Sequence, residues 1–131
     1  MAYATTSDVQ AFLDAYPLTL GSATKPSTTT VSGWLDGVSA RVDVVLARRY
    51  DTIPATGTSD VALIKQYVAM RVAFDAYTVA FGADKIPDTV NAWRDDFAQF
   101  LKDLADKSIS LVDQSPRVRM GTIKAMRYIE D

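Results

Sequence analysis

The chain has 131 residues, 48% of them apolar and 23% charged, with a net charge of −2 and a pI near 5.0. Values of this kind describe one folded domain large enough to bury its own core. With no Cys and no His, disulfide frameworks, Cys/His zinc sites, thiol nucleophiles and histidine-dependent triads are excluded, and the acidic balance removes any global attraction to nucleic acid or anionic membranes.

The opening residues Met1 to Asp8 contain no basic region followed by an apolar core, so no secretory signal is expected, and synthesis in the cytoplasm is. Val9, Phe12, Leu13 and Tyr16 share one helical face behind the oxygens of Thr5, Thr6 and Ser7, which predicts a first helix from about Ser7 to Tyr16, stopped at Pro17. Seven of the twelve residues from Thr19 to Thr30 are Ser or Thr, with Gly21 and Pro26 among them, so a long loop is expected there. From Val31 to Tyr50 the residues Val31, Trp34, Leu35, Val38, Val42, Val45 and Leu46 recur at spacings of three and four. They predict a second helix roughly 30 Å long. After a loop with Pro54 and Gly57, Ser59 is placed to cap a third helix, Asp60 to Phe81, ended by Gly82. This segment is apolar nearly all round, with Arg71, Asp75 and Thr78 on one polar side, and is expected to be the central element. Its charges, Lys65, Arg71 and Asp75, argue against a bilayer span.

A fourth helix is predicted from Asp88 to near Lys107, with Val90, Trp93, Phe97, Phe100, Leu101 and Leu104 on its apolar face. Beyond it, Ile109–Val112 and Arg117–Met120 are short β-compatible runs joined by Asp113–Pro116, and Thr122 to Asp131 is too short for a stable isolated helix. The expected architecture is all-α: about four helices, with a short C-terminal β-like element and an extended tail. It divides into a helical body, 1–112, and a partner-binding tail, 113–131.

Paired carboxylates are the only general acid/base set this composition allows, and the candidates Asp95, Asp96, Asp103 and Asp106 lie on the fourth helix away from its aromatic face, as on a solvated surface. The six glycines form neither GxGxxG nor a P-loop. No enzyme, cofactor or metal is therefore expected. Trp34 and Trp93 fall on the apolar faces of their helices and are expected as core anchors. On the second helix, Gly33, Gly37, Ala40 and Val44 form a stripe opposite the core face, with Arg41 and Arg48 on one edge and Asp36 and Asp43 on the other. Two environments fit such a stripe: a bulky neighbour within the same bundle, or another subunit approaching between unlike charges.

The tail differs from the body. Between Ser115 and Tyr128 stand Arg117, Arg119, Lys124 and Arg127 and no acid, interleaved with Val118, Met120, Ile123, Met126 and Tyr128. Met, Ile and Tyr suit a merely solvated tail poorly, and the composition points to docking on an acidic, partly apolar protein groove more than to nucleic acid.

The opening Tyr3-Ala-Thr5 with Asp8-Val9, the stretch Leu35 to Asp43 continuing through Leu46-Ala-Arg-Arg-Tyr50 into Ile53-Pro54, and the apolar helix Leu63 to Phe81 resemble the head-to-tail connector (adaptor, head-completion) proteins of tailed bacteriophages. The similarity covers roughly residues 3–112 and rests on helix order with the Tyr50 and Pro54 punctuation. It departs from the family pattern at Lys107-Ser108, where such proteins often carry a glycine. The resemblance implies a non-enzymatic virion protein at the head–tail interface. It would form a homo-oligomeric ring, usually of twelve subunits, docked on the portal protein and offering its other side to a stopper or tail-completion protein, with DNA passing through without specific binding. It also implies that the C-terminal segment contacts the portal. The competing expectation is a small helical interaction module or regulator acting as a monomer or dimer.

Overall fold

The computed structural model describes residues 2–16, 18–50, 53–84, 86–106 and 111. Four α-helices follow one another: α1 (Thr6–Leu13), α2 (Thr28–Leu46), α3 (Thr58–Phe81) and α4 (Asp88–Ala105). The described residues contain no strand, so the architecture is all-α as expected, while the β-compatible runs and the tail lie outside them, apart from Leu111. No helix among the described residues is long and apolar enough to cross a membrane.

Local chemistry sets the ends of the helices. Thr5 and Asp8 form a reciprocal capping box: the Thr5 hydroxyl accepts from the Asp8 N–H and the Asp8 carboxylate accepts from the Thr5 N–H at 2.8 Å. Helix α1 stops at Leu13, a turn short of the predicted Tyr16, and Gln10 secures the chain beyond it, donating to the Leu18 carbonyl and accepting from the Leu20 N–H. Helix α2 begins three residues before the predicted Val31, because Ser27 caps it by accepting from the Thr30 N–H at 3.2 Å. Threonines 28–30 thus fill a first turn, whose N–H groups need no intrahelical partner. At its other end α2 gives way after Leu46 to hydrogen-bonded turns that reach the predicted end at Tyr50. The cap of α3 is Gly57 rather than Ser59: its φ of 97° is open to glycine, and its carbonyl accepts from the Val61 N–H. Gly82, at φ 88°, ends α3 where expected. Helix α4 ends at Ala105, two residues before Lys107.

Helix α3 packs against each of the other three, which makes it the central element that its apolar composition predicted. The core is built from Val9 and Leu13 of α1, Val31, Leu35, Val42 and Leu46 of α2, Ile64, Val68 and Val72 of α3, and Val90, Phe97, Phe100 and Leu104 of α4. Aromatic side chains tie α1, α3 and α4 together: the Trp93 ring meets Phe12 and Tyr16 edge-on at 5.6 and 5.9 Å, and Tyr67 stacks on Phe100 at 4.2 Å. Trp93 is buried, as expected of a core anchor. Trp34 is only partly buried and packs at the margin of the core, a correction to the equal roles expected of the two, because its position on α2 lies at the border between the core face and the exposed side.

Candidate functional site

The outer face of α2 sets it apart from a helix buried in a bundle. Gly33, Gly37, Ala40 and Val44 are all exposed, Val44 to 60%. A Cβ added at Gly33 or Gly37 would meet nothing within 4 Å. Among the described residues the bulky neighbour within the chain that the stripe also allowed is absent: α3, α4 and α1 all meet α2 on its other side, where Val31, Leu35, Val38 and Val42 are buried. The stripe is a smooth strip of backbone and small side chains, open along its length. Such a strip permits close approach of another backbone, and two glycines in a helix interior cost about 0.5–1 kcal/mol each relative to alanine.

The two charged edges of the strip differ. Arg41 and Arg48 are exposed on one edge, with the Arg41 guanidinium 5.6 Å from the centre of the Phe97 ring. On the other edge Asp36 is exposed, but Asp43 is half-buried and accepts a hydrogen bond from the Tyr3 hydroxyl. The same hydroxyl accepts from the Ala55 N–H at 2.8 Å, and the Tyr3 N–H donates to the buried Ser39 hydroxyl at 3.0 Å. Burial, reinforced by the bond to Asp43, pushes the Tyr3 hydroxyl far above its ordinary pKa, so it stays a donor throughout the physiological range. Tyr3 thus clasps the N-terminal segment to α2 and to the loop before α3, and Asp43 serves that clasp rather than standing free. Sequence reasoning did not find this network. Ser39 and Asp43, one turn apart beside the core face of α2, were its only trace, and nothing in the spacing pairs them with a residue so far away.

The carboxylates considered for acid/base chemistry do not converge. Asp95 pairs with Arg94 at 3.1 Å, and Asp103 accepts from the Gln99 amide at 2.8 Å, both on the exposed side of α4. Among the described residues no group of three or more Asp, Glu, His or Cys is placed to hold a metal ion. A cleft of about 270 Å³ between α1 and α3 is lined by Phe12, Ala62, Gln66 and Ala69, and its two charged residues, Asp8 and Lys65, are spent on each other at 3.3 Å. A smaller hollow of about 90 Å³ lies between Ala2, Tyr3, Pro54, Ala55 and Val61.

The tail residues Arg117, Val118, Arg119, Met120, Ile123, Lys124, Met126, Arg127 and Tyr128 lie outside the described residues. Leu111, the last residue described, is buried, and its N–H donates to the Tyr50 hydroxyl at 2.9 Å. Leu111 is thereby held beside the turns that follow α2, near the point where Arg49 donates to the Leu104 carbonyl at 2.7 Å. Compared with protein-family models, curated proteins and solved structures, the chain matches none.

Proposed function

We propose that the chain is a ring-forming structural protein of a tailed-phage virion, joining the portal of the DNA-filled head to a stopper or tail-completion protein. The observation that carries this reading is the open face of α2: a long strip of Gly33, Gly37, Ala40 and Val44 with no neighbour among the described residues, on a helix whose other side is packed. Retaining two glycines in an exposed helix interior, at a cost to the monomer, makes sense where a second backbone must come close. The unlike edges, Arg41 and Arg48 against Asp36, suit a repeating contact between different surfaces of neighbouring copies, which closes into rings. The resemblance to head-to-tail connectors supplies the ring of about twelve and the portal as partner. The acidic body suits a channel that passes DNA without holding it. No catalytic step and no cofactor are assigned.

Within this proposal the basic, apolar tail reaches the portal. Arg117, Arg119 and Arg127 supply charge-assisted hydrogen bonds, while Met120, Ile123 and Met126 supply burial. The test is mass photometry of the purified chain, alone and mixed with the portal protein encoded in the same genome. A ring-sized species in either sample supports the connector, and deletion of residues 114–131 is then expected to leave the body folded while abolishing assembly on the portal. A chain that stays monomeric and ignores the portal refutes the proposal in favour of a small helical interaction module.

A further inference from the structure

Three arginines that are scattered in the sequence meet on one side of the bundle. Arg71 of α3 and Arg94 of α4 both stand against the Phe74 ring, with guanidinium carbons 5.4 and 5.3 Å from its centre. Arg71 also reaches Asp75 at 3.4 Å, and Arg41 of α2 acts on the same Asp75 carboxylate while lying against Phe97. The result is a row, Arg41, Asp75, Arg71, Phe74, Arg94, that crosses three helices. Arg71 and Arg41 share the one half-buried Asp75 carboxylate within it, and at its far end Arg94 pairs with the exposed Asp95 at 3.1 Å. Each guanidinium carries five N–H donors, more than one internal carboxylate takes up, so donors remain for a carboxylate arriving from outside. The row begins at Arg41, so it is continuous with the open strip of α2.

The same chain carries the complement. On α4, Asp96 and Asp103 stand on the flank of the buried seam away from Arg94; Asp96 is two positions on from Arg94, which places them about 160° apart around the axis. Among the described residues neither Asp96 nor Asp103 forms a salt bridge. A basic patch on one side and an acidic patch on the other cannot satisfy each other within one copy, but they can between copies arranged head to tail. We propose that the row Arg41, Arg71, Arg94 receives the Asp96 and Asp103 carboxylates of a second copy of this chain, and that this contact sets the direction of assembly. The inference rests on the ring-forming reading above and names the surfaces that meet. Duplex DNA is the other polyanion such a row would attract, but the acidic flank of the same helix would repel it.

The experiment uses two full-length variants with opposite defects, Arg41→Ala/Arg94→Ala and Asp96→Asn/Asp103→Asn, in sedimentation velocity at low and high salt, with portal added if the wild type needs it to assemble. Arg71 is left in place because it neutralises Asp75. Each variant alone is expected to assemble at least about tenfold more weakly than the wild type. An equimolar mixture, in which each pair of unlike variants retains one intact contact, is expected to recover association but stop at a dimer. Circular dichroism confirms that both variants remain helical, and should one fail to fold, single substitutions at Arg94 and Asp96 replace the pairs. Wild-type assembly in either variant alone, or a mixture that stays monomeric, overturns the proposal while leaving the connector standing. A wild type that forms no oligomer with or without portal overturns both, and loss of duplex DNA binding in the arginine variant with assembly intact assigns the row to DNA instead.

Discussion

Substitution at Gly37 separates what the α2 strip costs the monomer from what it does between molecules. Because a Cβ at this position meets nothing within 4 Å among the described residues, Gly37→Ala and Gly37→Leu introduce no clash with them and replace the poorest helix former short of proline. Both are expected to stabilise the isolated protein by about 0.5–1 kcal/mol. For a domain of this size that raises the thermal midpoint by about 2–5 °C. If the strip is the surface against which another copy packs, the leucine side chain must be accommodated in a close contact, at about 1–3 kcal/mol per interface, or roughly 5- to 150-fold in affinity. Alanine, adding one methyl group, should fall between glycine and leucine. The monomer is followed by urea denaturation at concentrations below assembly, and the oligomer by mass photometry with portal. A Gly37→Leu protein that assembles like the wild type removes this face from the interface. One that loses more than about 1 kcal/mol as a monomer shows that the face is not open in the first place.

Three further outcomes test the fold that presents this face. Tyr3→Phe leaves the buried Ala55 N–H without its acceptor and Asp43 without its donor, and is expected to cost about 2–3 kcal/mol; in a double-mutant cycle with Asp43→Ala, which removes the acceptor, simple additivity in urea denaturation would contradict the clasp. Phe100→Ala opens a cavity beside Tyr67 at a side chain that is 1% exposed and should cost about 3–5 kcal/mol, a large part of a domain's stability, while a loss below about 1 kcal/mol would mean the core is looser than described. Burial raises the Asp75 carboxyl above its ordinary value, against the opposing pull of Arg71 and Arg41. Its folded-state pKa thus lies above the unfolded one, so the folded protein holds the extra proton and Asp75 makes stability fall as pH rises between the two values. Asp75→Asn should remove that slope, and urea midpoints of wild type and variant that run parallel across the carboxylate range would refute it.

The number, order and approximate span of the helices were legible in the sequence, because apolar spacing along a helix depends only on residues three and four apart. The central place of α3 was legible too, since a segment apolar nearly all round has nowhere to go but between other elements. The ends were less so: Ser27 caps α2 through its hydroxyl and Gly57 caps α3 through a positive φ, and composition does not rank these against the neighbouring Ser and Thr. For the candidate site, the sequence placed Gly33, Gly37, Ala40 and Val44 on one stripe but left open whether that stripe faced a neighbour in the same chain. Only the packing of the other three helices on the opposite side of α2 decided that it faces outward. The Tyr3 clasp and the arginine row were not legible at all. Each joins residues from segments far apart in the chain, so it exists only once α3 has drawn the other helices around itself, and no local pattern encodes which exposed arginine will come to rest on which aromatic ring.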